Sequence, residues 1–182
     1  FPLPRLDSPT GFEIFGRDLS WRDIVLGAGG MSAVYRAYDP NLRRVVAVKL
    51  IHPHLSENPN FVNRFKEEAA DVASLRHPNI VQVHDFNNEG ETYYMVMEYL
   101  DGGTLKDRLK GHPMALGSVA QILKDLAGAL DYAHAQGAVH RDVKPANILL
   151  PRPDWPLLAD FGLIKMMDHP EGITRPGMSI GT

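Results

Sequence analysis

Cysteine is absent from the 182 residues. That one absence excludes disulfides, a thiolate nucleophile and Cys-ligated zinc together, and it fits a reducing compartment. Long hydrophobic runs are missing as well: nothing approaches the roughly 18 apolar residues that read as a membrane span. The opening FPLPRLDSPTGF has no apolar signal core and begins with Phe rather than Met, so the chain reads as a piece of a longer protein. Neither sign of charge dominates, with Lys plus Arg 19 against Asp plus Glu 22 and a net charge of -3. A broad electropositive face for nucleic acid is therefore not expected, although a local basic pocket is compatible with this balance. Repeats and low-complexity tracts are absent, apart from three prolines in the first nine residues. Those prolines suggest an extended linker over residues 1–20.

What is present is ordinary for a globular domain: 44% hydrophobic and 23% charged residues. At this length about 70% of the unfolded surface can be buried, enough for a real core. The segment Trp21–Leu26 is strand-like, Val34–Tyr38 resumes a strand, and Arg44–Ile51 (RVVAVKLI) is a third, separated from the second by the turn signal Asp39-Pro40-Asn41. Phe61–Leu75 has helical spacing of apolar residues, with Asn60 as its N-cap. Ile80–Phe86 and Thr92–Tyr99 read as two further strands around a turn at Asn87–Gly90. The first hundred residues thus predict a five-strand antiparallel sheet with one helix. Beyond Asp101-Gly102-Gly103 the pattern changes: Ser118–Gln136 reads as a helix stopped by Gly137, followed by a polar loop and a Pro-rich stretch over 151–156.

Gly27-x-Gly29-Gly30 is the first chemical signal, weak alone because glycines also serve turns. A dinucleotide fold would need a helix next, and a P-loop would need Gly-Lys-Ser/Thr; the strand-forming AVYRAY follows instead. A glycine-rich hairpin whose backbone N–H groups lie over phosphates fits better. Lys49 stands in a strongly apolar strand, on the side of Ala47 and opposite Val46, Val48 and Leu50. Such a lysine either faces solvent or meets an anion. Glu68 lies on the apolar side of its helix, where a carboxylate is costly unless a cation meets it, so a Lys49–Glu68 pair is an economical expectation. The densest signal is His140-Arg141-Asp142-x-Lys144-x-x-Asn147, with Asp160-Phe161-Gly162 beyond it. Asp142 can accept a proton, Lys144 supplies a cation, and Asn147 and Asp160 offer oxygen to a metal.

The ordered set LGAGG…VY, VAVK, Glu68, HRDVKPAN and DFG resembles a protein kinase. The phrases GAGGMSAVY, RFKEEA, LRHPNIV and VMEYLDGGTL resemble the eukaryotic-like serine/threonine kinases of bacteria, over about residues 21–182. The resemblance implies an α+β bilobal fold, with an N-lobe over 21–100 and an incomplete, mainly helical C-lobe over 104–182. It implies ATP and Mg²⁺ as ligands and protein Ser/Thr hydroxyls as acceptors. In the family's terms Lys49 holds the α/β-phosphates and Glu68 holds Lys49. Asp142 orients or deprotonates the acceptor hydroxyl, Lys144 steadies the transferred phosphoryl group, and Asn147 with Asp160 holds Mg²⁺. Gly27, Ala28, Gly29, Gly30, Met31, Ser32 and Ala33 form the loop over the phosphates. Leu26, Val34, Ala47 and Leu149 sandwich the adenine. Met97 is the gatekeeper, and Glu98 and Leu100 give backbone hydrogen bonds to the base. Lys144 also favours Ser/Thr over Tyr, because tyrosine kinases usually lack it. His140 is expected to pack beside Phe161 and Val72.

Three departures accompany the resemblance. The third loop glycine is Ser32, the stretch before Gly27 is short, and the chain stops at Gly181-Thr182 before any Ala-Pro-Glu segment. On this reading the complete parent is the active enzyme, cytoplasmic in its kinase domain, with a parent attached to the inner face of a membrane and a dimer serving autophosphorylation. The 182-residue chain itself is expected to be weakly stable and weakly active. Arg141 is expected to meet a phosphate on the following segment, with Thr174 first and Ser179 next, while Thr182 braces Asp142 and Lys144. The competing readings are a nucleotide-binding pseudokinase scaffold and a small-molecule phosphotransferase of similar fold. Retention of Lys49, Asp142 and Asp160 counts against the first, and the VMEYLDGG segment and the stretch after DFG against the second.

Overall fold

The computed structural model describes residues 12–14, 17–19, 25–28, 32–39, 43–52, 55, 57, 59–89, 92–110 and 113–161. Two short strands come first, β1 (Phe12–Ile14) and β2 (Arg17–Leu19), paired antiparallel as a separate ribbon. This corrects the reading of residues 1–20 as linker throughout. The prolines of this stretch end at Pro9, before the first strand.

Five strands then form one antiparallel sheet in the order β3-β4-β5-β7-β6. They are β3 (Val25–Ala28), β4 (Ser32–Asp39), β5 (Arg44–Ile51), β6 (Val83–Glu89) and β7 (Thr92–Glu98). β5 is the central strand and coincides with the expected one. Its alternation sends Val46 and Val48 to a buried cluster with Ala37, Tyr94 and Val96 on one face. Ala47 and Ile51 go to a second cluster with Met95 and Met97 on the other. Helix α1 (Pro59–Ser74) packs against the edge strand β6 and buries Ala69 in that second cluster. It begins at Pro59, so Asn60 lies inside the helix rather than capping it; proline suits a first turn whose N–H groups have no helical acceptor.

β6 begins at Val83, not at Ile80. Ile80 instead makes an isolated parallel bridge to Leu158. The strand also runs through Asn87 and Asn88 to Glu89, where a turn was expected.

The remaining elements are a one-turn helix α2 (Leu105–Arg108), the long helix α3 (Leu116–Ala135), a 3₁₀ turn (Pro145–Asn147) and the hairpin β8 (Ile148–Arg152)–β9 (Trp155–Leu158). α2 is fixed by a capping box: the Thr104 hydroxyl accepts from the Asp107 N–H at 3.1 Å, and the Asp107 carboxylate accepts from the Thr104 N–H at 3.2 Å. α3 buries Ile122, Leu126, Ala129 and Ala133, one stripe at helical spacing, against Ile148, Leu150, Leu158 and Phe161. Gly137, at φ 83°, stops it as its position promised.

Residues 76–81 join the two halves. The Asn79 side-chain amide donates to the Pro156 carbonyl at 2.7 Å, and the Asn79 carbonyl accepts from the Leu158 N–H at 2.8 Å. The Val81 N–H donates to Leu158 at 2.9 Å, the Trp155 indole donates to the Pro78 carbonyl at 3.0 Å, and the Arg76 N–H donates to the Tyr132 hydroxyl at 3.1 Å. Leu75 and Ile80 enter the core of the second half. The sheet is thereby held to α3 and the β8–β9 hairpin.

Candidate active site

Lys49 is 3% exposed, so the solvent-facing reading fails. Pairing places it opposite Met95 on β7 and Val34 on β4, on the face that also carries Ala47 and Met97. Its ammonium meets Asp160 Oδ1 at 2.7 Å. Glu68 lies in α1, but its side chain lies outside the described residues, so the expected Lys49–Glu68 pair does too. The partner that sequence reasoning missed is Asp160, which is 111 residues from Lys49 in the chain. Only the fold brings the two together.

Asp160 has φ 58°, a left-handed conformation that costs a non-glycine residue about 1–2 kcal/mol. Arg141 is held similarly at φ 61°. Strain of this kind persists where surrounding contacts fix it. For Asp160 those contacts are the Lys49 pair and its neighbours: the Ala159 N–H donates to the Asn147 carbonyl at 2.9 Å, and Phe161 is 4% exposed in the α3 core.

Asp142 is the centre of the second cluster. The Asn147 amide nitrogen donates to both the Asp142 carbonyl and Asp142 Oδ2, each at 2.9 Å, and the Lys144 ammonium meets the same Oδ2 at 2.8 Å. Partial burial alone would raise the Asp142 pKa, but the hydrogen bonds from Lys144 and Asn147 and the nearby positive charge outweigh it and hold the carboxylate below its usual range. Asp142 is thus an anion near neutrality, with its side chain 18% exposed.

His140 supports this loop from beneath. It is 1% exposed, and its ring lies 4.5 Å from that of Phe161 at 40°, as the sequence suggested. Val72 packs against the cores on both sides. His140 Nε2 lies 3.0 Å from the Ala159 carbonyl, and Nδ1 lies 3.3 Å from the Asp142 N–H. A neutral ring with its proton on Nε2 satisfies both contacts. Burial keeps it neutral by lowering its pKa, against a rise from the Ala159 hydrogen bond and the two nearby carboxylates.

Val34, Ala47, Met97, Leu100 and Leu149 share one cluster, with a cavity of about 20 Å³ behind Met97 bordered by Val72, Asp160 and Phe161. Leu26 is exposed and Glu98 half-buried. Ser32 and Ala33 begin β4, while Gly27 and Ala28 end β3. Gly29, Gly30, Met31, Thr174, Ser179 and Thr182 lie outside the described residues.

Mg²⁺ fits this donor set. Asn147 spends its amide nitrogen on Asp142, which turns its amide oxygen to the acceptor role, and Asp160 engages Lys49 through Oδ1 and retains Oδ2. Two oxygen ligands without a full protein cage suit an ion completed by water and phosphate oxygens.

A model of the protein kinase domain matches residues 22–179. The chain is 41% identical over 159 residues to the serine/threonine-protein kinase PknD of Mycobacterium tuberculosis, covering 87% of this chain and 24% of that one. It is 42% identical over 165 residues to PknF of the same species, covering 86% of this chain and 34% of that one. It therefore spans between a quarter and about a third of the length of these relatives. Among solved structures, the kinase domain of M. tuberculosis PknI superposes with a TM-score of 0.73 at 34% identity, over 87% of this chain and 62% of that domain.

Proposed function

The chain belongs to the protein kinase family, and from that premise we propose that it carries the nucleotide site and catalytic loop of an ATP- and Mg²⁺-dependent kinase acting on Ser/Thr hydroxyls of proteins. The observation that supports this reading best is the convergence of Lys49, Asp160, Asn147 and Asp142, residues from both halves of the molecule, on one cleft. Phosphoryl transfer needs little covalent help from a protein; it needs positioning and charge neutralisation.

In this reading the apolar set Val34, Ala47, Met97 and Leu149 holds the adenine, and the backbone at Glu98 and Leu100 meets its polar edge. Lys49 binds the α/β-phosphates, with Glu68 and Asp160 as its anionic partners. The backbone of residues 27–33 lies over the phosphates. Asn147 and Asp160 hold Mg²⁺, which neutralises phosphate charge. Asp142 is too weak a base to ionise a free hydroxyl, since its pKa is held down. It instead orients the acceptor O–H and takes the proton as the oxygen bonds to phosphorus. Lys144, already beside Asp142 at 2.8 Å, meets the charge of the phosphoryl group in transit. Arg141 and the hydroxyls of Thr174, Ser179 and Thr182 form the regulatory set. A domain using ATP on protein hydroxyls belongs in the cytoplasm, whether or not its parent is anchored to a membrane. No helix among the described residues is long and apolar enough to cross one.

The test is incubation with γ-labelled ATP, Mg²⁺ and a general protein acceptor, followed by phosphoamino-acid analysis. Label on Ser and Thr is expected. Label confined to Tyr would refute the acceptor assignment, and ATP binding without any transfer would favour the scaffold reading.

A further inference from the structure

We propose that Arg36 is a positioning residue of the nucleotide site, tying the strand that roofs the cleft to the segment that links the two halves. Arg36 lies in the middle of β4, opposite Ala47 and two residues from Val34 on the same face. That face also carries Val34, Ala47, Met97 and the buried Lys49, and Arg36 is half-buried in it. Its Nε is buried with no hydrogen-bond partner. An arginine in this setting costs the fold free energy unless something else receives the cation. The receiver is Tyr99, whose ring centroid lies 5.1 Å from the guanidinium carbon.

Tyr99 follows β7 directly and opens a stretch, residues 99–103, that has no regular structure. On the other side the linker is held by the Glu98 N–H donating to the Gln82 carbonyl at 2.9 Å. Arg36 supplies the matching restraint from the cleft side. Tyr99 stands between Glu98 and Leu100, and the inference rests on the reading above, in which their backbone groups meet the adenine. Arg36 shares its strand with Val34, which covers the same base. One contact therefore fixes two walls of the site relative to each other, and that ordering cost is met before the ligand arrives. Lysine would not substitute well, because the planar guanidinium stacks on a ring where an ammonium does not.

The test is ATP–Mg²⁺ titration calorimetry on the whole chain for Arg36→Leu, Tyr99→Leu, the double variant and Tyr99→Phe, each with a thermal melt, alongside KM and kcat in the complete kinase. Each Leu variant is expected to weaken ATP binding about three- to tenfold, and the double variant no further than the weaker single. The KM for ATP should rise while kcat at saturating ATP stays within about twofold, and Tyr99→Phe, which keeps the ring, should bind like the unaltered chain. Unchanged ATP binding in either well-folded Leu variant would overturn the inference, as would losses that multiply in the double variant. An equal fall in kcat with unchanged KM would overturn it too. If Arg36→Leu fails to fold, Tyr99→Leu and Tyr99→Phe decide alone. Failure of the unaltered chain to bind ATP would remove the nucleotide reading itself, whereas binding with indifferent variants would remove only this one.

Discussion

Lys49 and Asp160 show how burial sets the cost of a charge. A lysine at 3% exposure survives only beside an anion, and the Asp160 carboxylate at 2.7 Å provides one. Lys49→Met should therefore lose stability as well as activity. Breaking a buried pair costs about 3–5 kcal/mol, and because the Asp160 side chain keeps 29% of its exposure the lower end or less is expected. Phosphoryl transfer should fall by about 10²–10³-fold, the usual loss when one charge-stabilising donor is removed. Chemical denaturation paired with a transfer assay checks both. Unchanged stability would mean that the pair contributes nothing to folding.

His140 carries a pH dependence of known sign. Burial holds its folded pKa below the ordinary imidazole value of about 6.5, so at pH values between the two the unfolded chain binds more protons. Its contribution to stability is intact above about pH 6.5 and declines as pH falls towards the folded value. Protonation would also put a hydrogen on Nδ1 facing the Asp142 N–H, two donors opposed. Urea unfolding at pH 7.5 and pH 5.0 should show a larger loss for the unaltered protein than for His140→Gln. Equal losses would contradict the assignment. At this scale the motif named Asp142, Lys144 and Asn147 together, though not the hydrogen bonds that join them. The sequence was silent on the Lys49–Asp160 pair, because nothing local links a strand near the start to a loop near the end.

Among the elements, β5 and α3 were readable because their patterns are long and unbroken. Eight strand residues with buried alternation, and a helix with one apolar stripe and a terminal glycine, leave few alternatives. The β8–β9 hairpin was not readable. Pro151 and Pro156 argue against strand by propensity, yet both lie in a two-stranded hairpin, where one side of each strand needs no backbone donor. Ile80 misled for the opposite reason: it has strand chemistry, but its backbone partner is Leu158 rather than β7. The linker supplies the element-scale prediction. Gly102 has φ 130°, and a Cβ there would sit 2.3 Å from the Leu150 carbonyl oxygen, with the neighbouring Leu150 N–H bonded to the Gly103 carbonyl at 3.0 Å. Backbone on both sides leaves nothing flexible to move. Gly102→Ala should destabilise by about 2–4 kcal/mol, measurable by denaturant unfolding, whereas Gly128→Ala, with open space at its Cβ, should be neutral or stabilising. Similar stability for the two would contradict the close approach.

Among the described residues, two halves share one seam. The sheet and α1 form one, α3 with the β8–β9 hairpin forms the other, and residues 76–81 belong to both. The cleft lies along that seam, so its residues arrive from opposite sides and the site exists only when both halves are folded. ATP–Mg²⁺ should for the same reason stabilise the whole protein, by about 2.7 kcal/mol at a hundred times its dissociation constant. We propose that the cleft transfers phosphate and that Asp142 acts on the acceptor rather than on ATP. The decisive measurement is γ-phosphate transfer and ATP affinity compared in the unaltered protein and in Asp142→Asn. Transfer is expected to be lost while the dissociation constant for ATP stays within about threefold, because Asp142 touches Lys144 and Asn147 but not Lys49. Sustained transfer by Asp142→Asn, or an equal loss of ATP binding, would contradict it.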